Sequence, residues 1–172
     1  MKFISLLKKF WPQIFLFFLV TLLFYFNYSP NTYLTGWDNL QVELDLSINL
    51  ERALNVSWQE YQGLGLLGGM GHGADLIRQI LLWPFSLVLQ PQLLRYCWHY
   101  LALLSGVWGA FTLFTYLLKN KPQGRLLACL GASFYLLNLG TVQNFYVTFE
   151  PFAAFFAFFP WLIYYFFSYL EQ

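Results

Sequence analysis

Five of the chain's eight acidic residues, Asp38, Glu43, Asp45, Glu51 and Glu60, fall in one stretch, TGWDNLQVELDLSINLERALNVSWQEYQGLG, residues 35–65. The sequence on both sides of it is strongly apolar. A carboxylate held just outside an apolar segment is suited to general-base work on a hydroxyl brought within hydrogen-bond reach. Further on, His72 lies in the glycine-rich run GLGLLGGMGHG, and Arg78 and Arg95 bring guanidinium groups of the kind that hold phosphate. A base, cations for a departing phosphate and apolar walls for a lipid chain are what transfer from a lipid-phosphate donor requires.

Each of these residues also has a plain structural role. Asp38 and Gln41 match a capping box, with Asp38 at the N-cap and Gly36 in the turn before it; such a cap contributes about 1 kcal/mol. A helix over 38–54 would gather Gln41, Arg52, Asp45, Asp38 and Asn49 within an arc of about 80° and turn Glu43 and Glu51 away from it. On that helix Asp45 reads equally as a solvated partner of Arg52, and Glu43 as an interfacial carboxylate. His72 reads as a polar loop residue, Arg78 and Arg95 as interfacial anchors. His99 reads as a snorkelling side chain or as a hydrogen-bond partner of a neighbouring helix. Cys97 and Cys129 sit in apolar segments without CxxC spacing and read as small buried hydrophobes rather than a disulfide or metal ligands.

The elements that must position these residues follow from composition. Of 172 residues, 59% are hydrophobic and 10% charged, against roughly 25% charged in soluble domains, and the mean hydropathy is +0.52. The expected fold class is all-α, a polytopic membrane protein with about four transmembrane helices in a single domain: 11–28, 93–118, 126–143 and 151–170. An outer acidic loop at 29–74 and an interfacial helix at 75–91, too short to span, separate the first two; a cytoplasmic hairpin at 119–125 joins the second and third. Pro12 is placed in the first turn of the first helix. The apolar start lacks a small-residue cleavage site and reads as an uncleaved helix. Lys2, Lys8 and Lys9 fall on one side with Lys119, Lys121 and Arg125 if the acidic loop is outside, which makes the N-terminus cytoplasmic. A net charge of +1 gives no electrostatic case for nucleic acid. No basic residue follows the fourth segment, so the chain reads as the N-terminal fragment of a longer protein.

The order of these features resembles the GT-C class of membrane glycosyltransferases. GWDNLQVELDLSINLERAL, followed by SWQEYQGLGLLGGMGHGADLIRQILLWPFSLVL, is similar to the amino-terminal region of the bacterial alpha-(1→3)-arabinofuranosyltransferase group, and FFPWLIYYF is similar to their Pro-Trp near helix four. The likeness extends to a broader set of large bacterial multi-helix membrane proteins. It implies transfer of a sugar, with arabinofuranose as the group's example, from a polyprenyl-phosphate donor to a cell-envelope glycan or glycolipid at a bacterial-type plasma membrane. Asp38 is then the catalytic base, Glu43 and Asp45 position the acceptor or a divalent cation, Arg78 and Arg95 meet the donor phosphate, and His72 lies in a loop near the site. The chain departs from the pattern at SWQEYQGLG, where Gln59 and Glu60 stand in place of an expected Asp-Pro. Four helices are too few for the usual donor groove, so these residues alone are expected to be inactive. The competing reading is a non-catalytic assembly or lipid-handling subunit that uses the acidic loop as a partner interface.

Overall fold

The protein is described by a computed structural model over residues 2–36, 42–58, 65 and 73–171, with side chains from residue 9 onward. It is an all-α polytopic membrane protein. The helices are α1 (Lys2–Asn27), α2 (Leu46–Leu54), α3 (Leu76–Ser86), α4 (Pro91–Leu117), α5 (Gly124–Leu137), α6 (Leu139–Tyr146) and α7 (Glu150–Leu170). Three of them, α1 from Lys9 on, α4 and α7, are long and apolar enough to cross a membrane, and α5 with α6 makes a fourth span if the pair, bent by 45°, is counted as one. The chain divides into two compact units, Met1–Ser29 with His99–Gln172, and Pro30–Trp98.

In the first unit α1, most of α4, α5 and α7 share one core, where Leu16, Val20, Val107, Ala128, Ala132, Leu136 and Phe156 are almost fully buried. Apolar burial alone does not hold helices together in lipid; close packing and interhelical hydrogen bonds do. Both are present. A Cβ at Gly106 of α4 would lie 2.4 Å from a ring carbon of Phe156, so only glycine permits this approach of α4 to α7. Pro160 has no N–H to give the carbonyl of Phe156 one turn earlier, and a bare carbonyl in hydrocarbon costs several kcal/mol by order of magnitude. The Tyr135 hydroxyl of α5 donates to that carbonyl at 2.9 Å, and the Ser105 hydroxyl of α4 donates to the next one, Ala157, at 3.1 Å. Trp161 completes the set by donating Nε1–H to the Ser105 carbonyl at 3.0 Å.

The third predicted span is broken at Asn138. Its backbone is extended there (φ −66°, ψ 151°), which ends α5; its side-chain oxygen accepts from Thr141 N–H and so caps α6. An asparagine side chain competes with the helix ladder in just this way. Pro12 differs from expectation: α1 starts at Lys2, so the proline is interior and buried rather than in the first turn. The ladder is weakened around it, and Arg125 from the start of α5 donates to the Lys9 carbonyl and, at 3.3 Å, to Gln13 Oε1. The basic start of α1 and the basic 118–125 turn therefore lie at one end of this unit. Gln123 takes a left-handed conformation in that turn (φ 58°), and a Cβ at the following Gly124 would strike the Leu118 carbonyl at 2.3 Å.

The second unit packs α2 on α3, with Val42, Leu46, Ala53, Leu82 and Leu94 buried. The Thr32 and Tyr96 hydroxyls meet at 3.1 Å. At 11 residues α3 is about 16 Å long, too short to span, and it runs through Pro84 as far as Ser86. The continuous helix over 38–54 is not what forms. A 3-10 turn at Val42–Leu44 comes first, Asp45 is extended (φ −145°, ψ 87°), and α2 starts only at Leu46. The polar stripe built on that helix is therefore not one helical face.

Candidate functional site

Of the residues singled out from sequence, Asp38 and His72 lie outside the described residues. The other four separate into two groups. Asp45 is exposed and is the N-cap of α2: its Oδ1 accepts from Ile48 N–H at 3.1 Å and from the Ser47 hydroxyl at 3.2 Å. The capping role weighed for Asp38 belongs, for α2, to Asp45, because the chain turns there and presents its first free N–H groups to that carboxylate.

Glu43, Arg78 and Arg95 come together. The 3-10 turn carries Glu43 inward to 4% exposure, so the residue that the sequence turned away from the polar stripe is the one that enters the interior. Arg78, from the first turn of α3 and 5% exposed, reaches Glu43 Oε1 with Nη1 at 3.5 Å. Its Nη2 donates to Asp75 Oδ2 at 2.9 Å, one turn back on the same side of the helix. Asp75 is in the N-cap position of α3, yet its side chain makes no cap bond; it is spent on Arg78 instead. Arg95, from the second turn of α4 and 3% exposed, feels the opposite charges of Glu43 and Asp75 and the like charge of Arg78.

Among the described residues the cluster thus brings together two arginines and two carboxylates. Burial of charge is tolerated when it is compensated in this way, and removing one member of a buried pair typically costs about 3–5 kcal/mol because the other is stranded. Arginine suits the place: its planar fork meets two carboxylates at once and is less strongly hydrated than an ammonium.

Two members of this neighbourhood had no signal in the sequence reading. Asp75 opens the interfacial helix expected at 75–91 and has no expected role there. Gln79 stands one turn after Asp75 on α3, is fully buried, and among the described residues neither its amide nitrogen nor its oxygen has a hydrogen-bond partner. Only its i, i+4 spacing from Asp75 placed the two on one face. A buried amide left without partners costs roughly 1–3 kcal/mol, so this side chain is out of balance with the protein around it.

Among the described residues no three His, Cys, Asp or Glu side chains converge as a metal ion requires, and both carboxylates of the cluster face Arg78. In the other unit His99, Thr148 and Glu150 are buried as well, His99 with its ring edge-on to Phe145 at 5.9 Å and Glu150 in the first turn of α7. Cys129 is buried in the core of the same unit and Cys97 is partly exposed; both are free thiols.

Comparison of the chain with family models, with curated proteins and with solved structures found no match.

Proposed function

We propose that the chain is the N-terminal part of an integral-membrane glycosyltransferase of the GT-C type. It would move a sugar, arabinofuranose in the group it resembles, from a polyprenyl-phosphate donor to a cell-envelope glycan or glycolipid. The observation that carries this reading is Gln79. A fully buried amide with both polar atoms unsatisfied, one turn from a buried arginine–carboxylate cluster, is accounted for by a polar ligand that brings the missing donors and acceptors. A phosphate or a sugar hydroxyl does so.

In this reading Asp38 takes the proton of the acceptor hydroxyl as its oxygen attacks the anomeric carbon, and the donor's phosphate leaves with the bonding pair. Arg95 offsets the charge that grows on the phosphate. Arg78 holds the Glu43 and Asp75 side chains beside it and sets the position of α3. The N-terminus is cytoplasmic and the acidic loop is on the outer face of a bacterial-type plasma membrane. The gathering of Lys9, Lys119, Lys121 and Arg125 at one end of their unit supports that orientation.

The test is binding and turnover of a polyprenyl-phosphate pentose by the chain in lipid nanodiscs, within the longer product of its reading frame if there is one. Asp38→Asn is expected to abolish turnover and keep donor binding; Gln79→Met is expected to weaken binding. A Gln79→Met protein that is more heat-stable and binds donor as before would remove the supporting observation.

A second reading, an assembly or lipid-handling subunit, is favoured by a different observation. Arg78 already has two carboxylates, and Asp45 is employed as a cap, so the charges serve the architecture. That reading expects a protein partner that co-purifies in stoichiometric amount, and no saturable donor binding by wild type.

A further inference from the structure

The unit Met1–Ser29 with His99–Gln172 has an open groove of about 370 Å3 between the last turns of α4 and of α7. Its lining changes character along its length. Phe111 and Thr112 lie at the inner end, Thr115 and Tyr116 follow one turn on, and Lys119 stands at the mouth, with Tyr164 forming the wall from α7. From residue 111 to residue 119 a helix advances about 12 Å, so the groove passes from aromatic to hydroxyl to cation over the depth at which a lipid passes from acyl chain to glycerol to phosphate. Both walls belong to helices long and apolar enough to cross a membrane, and the apolar side chains beside the groove, Leu117 and Phe167, are 51% and 41% exposed.

The walls are built rather than incidental. Tyr116 and Tyr164 meet edge to face at 5.6 Å, the Tyr116 hydroxyl shares its one proton between the Phe167 carbonyl at 3.3 Å and the Glu171 carboxylate, and the Lys119 ammonium sits 4.9 Å over the Tyr116 ring. At the mouth Lys119 is 3.1 Å from Glu171, with both side chains more than half exposed. An exposed pair of this kind is weak and exchangeable. At this end of the unit the described side chains are four cations, Lys9, Lys119, Lys121 and Arg125, and a single anion, Glu171. The excess positive charge complements a headgroup that carries a phosphate without its own cation.

We infer that this groove holds one anionic phospholipid, with its phosphate taking Lys119 from Glu171, its glycerol beside Thr115 and Tyr116, and an acyl chain against Phe111 and Tyr164. The inference is independent of the transferase reading. It assigns the groove a lipid ligand and Glu171 the part of an internal competitor for the cation.

The test is native mass spectrometry of the chain released from nanodiscs of equal parts phosphatidylglycerol and phosphatidylcholine. Wild type is expected to retain phosphatidylglycerol over phosphatidylcholine by roughly fivefold, the preference one cation near a membrane surface supplies. Lys119→Gln should remove the preference, Lys121→Gln, which deletes the same charge outside the groove, should keep it, and Glu171→Gln should raise it. Thr115→Trp, which fills the groove and leaves every charge in place, should abolish retention and serves if Lys119→Gln does not fold. Equal retention of the two lipids by wild type would overturn the inference. So would equal losses from Lys119→Gln and Lys121→Gln, which would mean a diffuse surface attraction. Release of the lipid by millimolar inorganic phosphate would overturn it too, by making this a site for the free ion.

Discussion

All five lysines of the chain lie in the unit of residues 1–29 and 99–172, in its first nine residues and in the turn after α4, whereas three of the four arginines lie in the unit of residues 30–98. The difference follows from where each unit keeps its charge. Lysines sit at a membrane helix end, where an ammonium stays hydrated; Lys119 and Glu171 are 52% and 56% exposed. Arg78 and Arg95 are 5% and 3% exposed, where a delocalised fork shared between two carboxylates is tolerated and a point charge is not. The first unit supplies the carbonyl that Pro160 leaves bare with the Tyr135 hydroxyl, and buries Glu150 and His99 besides. Among the described residues, buried guanidinium groups paired with or facing buried carboxylates are found in residues 30–98.

The contrast can be broken most forcefully at Arg78. Arg78→Met strands Glu43 and Asp75 and is expected to cost about 3–5 kcal/mol, seen as early proteolysis of residues 30–98 while the remaining helices stay protected. Adding Glu43→Leu to it should return part of the loss; if the single substitution costs less than about 1 kcal/mol, the cluster is not compensated as described. Next comes Tyr135→Phe, which leaves the Phe156 carbonyl bare and should lower stability by about 1–2 kcal/mol in a detergent unfolding titration. Pro160→Ala restores the N–H, so Tyr135→Phe should be nearly neutral in that background. Asp45→Ala removes the cap of α2 and should cost about 1 kcal/mol, with faster amide exchange at Ile48 as the direct sign.

The smallest effect belongs to Glu171. The Tyr116 hydroxyl and then the Lys119 ammonium hold its carboxyl below the usual glutamate value. A carboxyl lowered on folding stabilises above the unfolded value, about 4.3, and that contribution is lost as pH falls through the folded value. Carbon NMR of the Glu171 carboxyl should therefore give a midpoint below that of glutamate in an unstructured peptide, and Lys119→Gln should move it up without a measurable change in unfolding.

Much of the architecture was legible in the residues. Runs of apolar sequence near bilayer length announced α1, α4 and α7, whereas the third span, expected over 126–143, is interrupted at Asn138. The apolar part of α3, short and interrupted by Pro84, was recognisable as a helix that does not span. The polar region was less legible. Helical periodicity assumes a helix throughout; a single turn of 3-10 geometry at 42–44 followed by extended Asp45 resets the angles, and with them the side on which Glu43 falls. Pro12 was misplaced because the basic residues before it looked like a boundary, whereas α1 continues through them.

The sequence by itself determined that this chain lives in a membrane, that it is built of apolar helices, and that most of its carboxylates lie between the first and second spans. These are properties of local composition, and hydrocarbon enforces them segment by segment. Only the tertiary structure decided which of those charges is a cap, which is a buried partner and which amide is left wanting. The meeting of Glu43 with Arg78, or of Tyr135 with the Phe156 carbonyl, depends on how two distant segments dock. Docking is set by packing and by polar satisfaction across the whole unit, and no periodicity within a single segment encodes it.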